Sequence, residues 1–143
     1  MRKLRQDPAA SVEERCVSPS DFGFHNTLVR ETGELCFLDF EYAGWDDPAK
    51  MVGDFFAHPG MPVSRDHFDE FVRTTMSFSR HAEVLEARAR LLVPLFQVKW
   101  CCIILNEFVP EAAQRRRFAK PSLDEALSKQ RQLEKARRLL ASV

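Results

Sequence analysis

Glycine is distributed unevenly along this chain: all five glycines lie between residues 23 and 60 of 143. Because glycine permits tight turns and destabilises helix interiors, turn-rich structure is expected in that part of the chain. The residues that follow carry apolar side chains at helical spacing. A chain of this length fits one domain with its own hydrophobic core. We therefore predict a single α+β domain over residues 1–143 that is mostly helical.

One hairpin and four to five helices are predicted. Thr27–Arg30 and Leu35–Leu38 flank a turn at Gly33, which indicates a β-hairpin at about residues 27–38. The apolar run LFQVKWCCIIL predicts a helix that is buried on nearly all sides. The expected helices are Pro48–His58, Arg65–Arg80 with Ser64 as its cap, about Ala82–Phe108, and a last helix opened by a capping box at Ser122 and Glu125.

Charge and cysteine patterns exclude several classes of protein. Twenty-one basic residues balance 21 acidic ones, whereas a dedicated nucleic-acid binder usually carries a basic excess. The longest apolar stretch, Leu91–Leu105, is interrupted by a proline, a glutamine and a lysine, so no membrane span is expected. No apolar segment follows the charged N-terminus, so no secretory signal is expected. The four cysteines form no CxxC pair, and reduced thiols in a cytoplasmic protein are the simplest interpretation.

Three polar side chains are expected to meet at one end of the hairpin. Asn26 precedes the first strand and Asp39 follows the second, so the hairpin returns Asp39 to the end where Asn26 lies. Asp21 stands five residues before Asn26, in a loop that Gly23 allows to reverse tightly. An amide oxygen beside a carboxylate suits Mg²⁺, and a second carboxylate can accept a proton from a hydroxyl group. These are the requirements of phosphoryl transfer.

A simpler interpretation is open for each of these residues. Asp21 and Asn26 also occur commonly as turn-forming residues. Asp39 follows the apolar run Leu35–Leu38, which predicts a buried strand, and a carboxylate there would need a partner or a metal. Spacing alone therefore leaves turn chemistry and metal binding as alternatives.

The segment from Ser18 to Asn26, followed by the run LDFEYA from Leu38, resembles the aminoglycoside phosphotransferase and choline kinase family, relatives of the protein kinases. The family has a catalytic loop H-G-D-x-x-x-x-N and then a metal-binding aspartate in an I-D-[FW]-E-like run. The resemblance implies that Asp21 is the catalytic base, that Asn26 and Asp39 bind Mg²⁺, and that Asp54 hydrogen-bonds the catalytic loop. It also implies a protein-kinase-like C-terminal lobe, with an N-terminal segment at 1–15, the catalytic loop, hairpin and metal site at 16–58, and a helical subdomain at 59–143.

The sequence departs from the family pattern in two ways. Pro19 and Ser20 stand where the family has histidine and glycine. The chain also shows no glycine-rich loop and no strand lysine, the parts with which an N-terminal lobe binds ATP. We therefore expect the ATP-binding lobe to be missing, and ATP to bind poorly to this chain alone.

The acceptor of the phosphate is expected to be a small molecule with a hydroxyl group, and no residue selects among candidates. Trp45 could contact a quaternary ammonium through its ring. Acidic side chains near the expected site could receive a cationic acceptor, although a solvated surface role is the alternative for each. The acids considered are Glu41, Asp46, Asp47 and Glu107.

Two functions are consistent with these features. The first is an ATP- and Mg²⁺-dependent small-molecule kinase, of which this chain is the catalytic lobe. The second is a non-catalytic module derived from such a kinase, which binds a partner or itself through apolar surface near the cleft, as a homo-oligomer. Nucleic acid and membrane are not expected as partners.

Overall fold

The computed structural model describes residues 12–119 and 124–142. The described chain is α+β and mostly helical, as predicted, with two small antiparallel sheets and five α-helices. Short 3₁₀ turns cover Val12–Glu14, Phe24–Asn26, Arg65–His67 and Leu105–Phe108. The strands are β1 (Cys16–Ser18), β2 (Thr27–Val29), β3 (Leu35–Phe37) and β4 (Gly44–Asp46). The helices are α1 (Pro48–Ala57), α2 (Phe68–Met76), α3 (Ala82–Ile104), α4 (Pro110–Ala119) and α5 (Glu125–Leu140).

The predicted hairpin is confirmed, with each strand one residue shorter than expected. β2 and β3 pair antiparallel, with Thr27 opposite Phe37 and Val29 opposite Leu35. The turn closes through a hydrogen bond of 2.9 Å from the Gly33 amide to the Arg30 carbonyl. Gly33 adopts φ +85°, a left-handed conformation that a side chain would disfavour.

A second two-stranded sheet was not predicted. β1 and β4 pair antiparallel, with Cys16 opposite Asp46 and Ser18 opposite Gly44. Three-residue strands without an alternating apolar pattern carry too little signal to be recognised in the sequence. This sheet joins the segment before Asp21 to the segment that leads into α1.

Helix α1 lies in the core and begins where predicted. Pro48 occupies the first turn, and the Asp47 side chain caps the helix by accepting a hydrogen bond of 2.8 Å from the Ala49 amide. Gly53 lets α3 approach closely, since a Cβ at Gly53 would stand 2.9 Å from the Cβ of Phe96 and nearer still to its ring. The core cluster joins α1 to α2 and α3 and contains Ala49, Val52, Phe55, Phe56, Val72, Met76, Leu85 and Ala89.

The second predicted helix, Arg65–Arg80, is shorter in the structure. Ser64 does act as a cap, but for the 3₁₀ turn Arg65–His67, and α2 ends at Met76. Serine side chains after α2 bond to nearby backbone, as in the 2.8 Å bond from Ser77 Oγ to the Thr74 carbonyl. Such local bonds compete with helix continuation.

Helix α3 runs without interruption through Pro94, and only one of its faces is buried. The prediction of nearly all-round burial is wrong, because Leu95 and Val98 within that run are 61% and 42% exposed. The opposite face packs against α1, α2 and α5. Its buried residues are Leu85, Ala89, Val93, Gln97, Cys101 and Ile104.

By length and composition, Ala82–Phe108 would also qualify as a membrane span among the described residues. The core helix of a soluble protein passes the same test, and α3 does pack on three other helices. The expectation that the chain does not contact a membrane stays a prediction.

Helix α5 has a different N-cap from the one expected. The side chain of Asp124 accepts a hydrogen bond of 3.1 Å from the Leu127 amide and caps the helix at Glu125. The capping residue proposed from the sequence, Ser122, lies outside the described residues.

Candidate functional site

The loop that carries Asp21 is a tight turn. The Ser20 amide donates to Ser18 Oγ at 3.2 Å, and the Asp21 amide donates to the Pro19 carbonyl at 2.9 Å. Ser18 and Pro19 are buried, so the base of the turn is fixed, while the Asp21 side chain is 51% exposed. Ser20 adopts φ +70°, which is unfavourable for a residue with a Cβ.

Asn26 ties this loop to the hairpin. Its Nδ2 donates to the Asp21 carbonyl at 3.0 Å, which leaves the amide oxygen Oδ1 to accept. The Asn26 carbonyl accepts a hydrogen bond of 2.8 Å from the Leu38 amide, next to Asp39. Asn26 and Asp39 therefore lie at the same end of the hairpin, as the strand lengths predicted.

Asp39 is the second non-glycine residue with a left-handed backbone among the described residues, at φ +62°. Its carboxylate makes no hydrogen bond or ion pair to any residue in 12–119 or 124–142. The strand before it is not buried as expected, since Leu35 and Leu38 are 50% and 43% exposed. Asp39 is therefore solvated, and its oxygens are free to bind a hard cation.

Asp54 is 2% exposed, accepts hydrogen bonds from two side chains and forms an ion pair with a third. Its Oδ1 accepts from Lys99 Nζ at 2.6 Å and from Trp100 Nε1 at 3.0 Å, and Lys50 Nζ lies 3.5 Å from Oδ2. Among the described residues, Asp54 makes no direct hydrogen bond to the Asp21 loop. The hydrogen bond that the resemblance implied is therefore not found. Instead, Lys50 Nζ donates to the Ser20 carbonyl at 3.1 Å and links Asp54 to the loop.

The sequence did not predict that two histidines lie together beside Asp21. His25 Nε2 lies 3.2 Å from Asp21 Oδ1, and its ring stacks on that of His58 with centroids 3.7 Å apart. Burial, and then the neighbouring His25, lower the pKa of His58 below its usual 6.5, against the opposing effect of Asp21 and Asp54. The two residues are 33 positions apart, so no spacing rule could have paired them.

Asp21, His25 and His58 hold their ligand atoms within 4.8 Å of one another, the distance range of a metal site. The ring planes are 6° from parallel, so their in-plane lone pairs point along separate planes and do not converge on one ion. His58 Nδ1 also accepts a hydrogen bond of 3.1 Å from the Gly60 amide. His25 Nε2 lies close to Asp21 without a hydrogen bond to any described residue, so the trio as arranged is poorly shaped to hold one ion.

Three of the acids considered for acceptor binding are already engaged within the protein. Asp46 Oδ2 pairs with Lys50 at 2.8 Å, and Asp47 both caps α1 and pairs with Arg88 at 2.8 Å. Glu107 is 2% exposed, pairs with Arg116 and accepts a bond of 3.1 Å from Ser128 Oγ. A cationic acceptor would have to compete with these internal partners, so binding of an acceptor by the three carboxylates stays a prediction.

Glu41 and Trp45 are exposed and could contact an acceptor. Trp45 is 71% exposed on β4 and lines an open cavity of about 160 Å³ with Val12 and Arg15. The lining of this cavity is almost entirely apolar, so the Trp45 ring is the group there that could contact a quaternary ammonium.

Comparisons of the chain with models of known protein families, with curated proteins and with solved structures found no match.

Proposed function

We propose that this chain is the catalytic lobe of an ATP- and Mg²⁺-dependent phosphotransferase that acts on a hydroxyl group of a small molecule. One observation carries the proposal. Among the described residues, the two non-glycine positions with left-handed backbone are Ser20, directly before Asp21, and Asp39. Such conformations concentrate at functional sites and cost a residue like serine about 1–3 kcal/mol, and aspartate less.

The residues fit the metal that the proposal requires. The amide nitrogen of Asn26 donates a hydrogen bond to the Asp21 carbonyl, which leaves the amide oxygen available to bind a cation. The Asp39 carboxylate, at the same end of the hairpin, has no protein partner among the described residues. One amide oxygen and one carboxylate, completed by water and phosphate oxygens, suit Mg²⁺. When bound, Mg²⁺ would neutralise charge on the phosphates.

Asp21 takes the role of the proton acceptor. One oxygen of its carboxylate faces His25, and the other is left to orient the acceptor hydroxyl. The hydroxyl oxygen forms a bond to the γ-phosphorus of ATP, the bond from that phosphorus to the β-phosphate oxygen breaks, and the hydroxyl proton passes to Asp21.

A phosphotransfer assay tests this function. Labelled γ-phosphate would be followed from millimolar Mg²⁺-ATP to aminoglycosides, choline, homoserine and sugars. We expect Mg²⁺-dependent transfer to one acceptor class, reduced roughly 100-fold or more in Asp21→Asn, as for loss of a general base. Asp66→Asn, on an exposed 3₁₀ turn, is the matched control and keeps the wild-type rate. Full activity of Asp21→Asn would remove the assigned role.

A second candidate, an interaction module, is favoured by the exposed row on α3. Val84, Leu91 and Val98 recur every seven residues and are 63%, 69% and 42% exposed, with Leu95 between them. This spacing is typical of helix-to-helix packing. Light scattering tests this candidate. A defined oligomer that Leu91→Glu dissociates, and that Leu140→Glu leaves intact, would favour it if the chain transfers phosphate to no acceptor.

A further inference from the structure

The ammonium of Lys50 contacts oxygens from three segments of the chain. It lies 2.8 Å from Asp46 Oδ2 on β4 and 3.5 Å from Asp54 Oδ2 on α1, and it donates to the Ser20 carbonyl at 3.1 Å. Asp46 and Asp54 stand four residues before and four residues after Lys50, so the start of α1 brings both carboxylates to one side chain.

The two carboxylates keep this ammonium charged. Burial alone would lower the pKa of Lys50, but the hydrogen bond and charge of Asp46, and then Asp54, raise it above its usual value. A charged donor makes a stronger hydrogen bond to a carbonyl than a neutral one does. The hydrogen bond from Lys50 to the Ser20 carbonyl is therefore charge-assisted, and it connects the turn to α1.

The turn at Ser20 needs such a bond. Its φ of +70° is disfavoured for serine, and the two other hydrogen bonds of the turn run to its own base, at Ser18 and Pro19. They hold the turn against the end of β1, but neither of them reaches α1. The Asn26 amide holds the Asp21 carbonyl from the hairpin side, and Lys50 holds the Ser20 carbonyl from the α1 side.

We propose that Lys50 is a positioning residue: its ammonium, held by Asp46 and Asp54, keeps Ser20 in the left-handed conformation from which Asp21 points to the acceptor. The part of this inference that concerns catalysis rests on the proposed function. The part that concerns the turn does not. Asp54 accordingly acts on the loop through Lys50.

Amide hydrogen exchange of the full chain tests the contact, with Lys50→Met as the main variant. Lys99→Met is the matched control, because Lys99 also binds the Asp54 carboxylate but does not touch Ser20. We expect exchange at the Ser20 and Asp21 amides to rise roughly tenfold in Lys50→Met, as for loss of a charge-assisted hydrogen bond. In Lys99→Met the same two amides should exchange as in the wild type. Lys50→Arg, which keeps a cation, should recover most of the protection.

Asp46→Asn covers the case in which Lys50→Met does not fold. It removes the nearer carboxylate, leaves Lys50 in place, and should raise exchange at the same two amides by a smaller factor. Unchanged exchange in the folded variants, or an equal rise in Lys99→Met, would overturn the inference.

A kinetic readout separates positioning from general stability. In an active wild type, Lys50→Met should lower kcat while the KM for the acceptor changes little, because Asp21 is misplaced and the other contacts to the acceptor are not. If the wild type transfers no phosphate, only the proposed function is contradicted. The hydrogen exchange result still decides whether Lys50 holds the turn.

Discussion

The imidazole rings of His25 and His58 stack face to face, with centroids 3.7 Å apart and 6° between their planes. His58 also meets the Trp100 ring edge-on, at 4.4 Å. The pair thus joins the loop of Asp21 to the end of α1 and to α3. Burial of the His58 ring against His25 disfavours the protonated form of His58, which makes this contact sensitive to pH.

The first prediction concerns that sensitivity. The pKa of His58 is lowered by burial and by His25, although Asp21 and Asp54 oppose the shift. The unfolded chain therefore takes up a proton more readily than the folded one, and folding stability should fall as the pH drops through about 6.5. Urea unfolding at pH 7.5 and pH 5.5 measures the loss. His58→Gln should reduce this pH dependence and His67→Gln should not. An equal dependence in wild type and His58→Gln would contradict the prediction.

The second prediction concerns the buried carboxylate of Asp54. Asp54→Ala leaves Lys50 and Lys99 without their shared partner, so the free energy of unfolding should drop by about 3 kcal/mol, as for other broken buried pairs. Asp69→Asn, which breaks the exposed pair with Arg90, is the control and should change little. Urea unfolding monitored by circular dichroism gives the free energy of unfolding of both variants. Equal losses of this free energy would contradict the prediction that the buried pair contributes more than the exposed one.

The third prediction concerns the contact between α1 and α3. Gly53→Ala would place a methyl group against Phe96 and should cost about 1–3 kcal/mol of stability through overpacking. Gly44→Ala, on β4, meets no atom within 4 Å and should stay near the wild type. Thermal unfolding distinguishes the two; a wild-type Tm for Gly53→Ala would mean that the helices are less close than described.

The fourth prediction concerns the cysteines. Cys102 is exposed, whereas burial raises the pKa of its neighbour Cys101, and raises that of Cys16 together with Asp46 and Asp47. Cys102 should therefore react with iodoacetamide faster than Cys16 in the folded protein, and much faster than Cys101. Peptide mass spectrometry after timed labelling gives the order. Faster labelling of Cys101 than of Cys102 would contradict the burial of that face of α3.

The parts of the site that sequence could predict are the local ones. Strand and turn lengths place Asn26 and Asp39 at the same end of the hairpin, and this holds because side chains near in sequence have few alternative arrangements. The contacts of Lys50 with Ser20 and of His25 with His58 join residues about 30 positions apart. They depend on how α1 packs beside the loop. Neither spacing nor periodicity carries that information.

Exposure was predicted less well than secondary structure. The apolar sequence of α3 indicated burial on nearly all sides, but α1, α2 and α5 together cover one face only. The run before Asp39 was likewise expected to be buried and is half-exposed. Hydrophobicity in a sequence shows which surfaces favour a partner, and the number of available partners within the chain decides which of them are covered.

The central claim is that Asn26 and Asp39 together hold a divalent cation. Manganese, a paramagnetic substitute for Mg²⁺, can be titrated into the ¹⁵N-labelled chain while amide signals are recorded. Signals near Asn26 and Asp39 should broaden first in the wild type, and this selective broadening should disappear in Asp39→Ala while Asp69→Ala retains it. Broadening that spares both residues, or that persists unchanged in Asp39→Ala, would contradict the account.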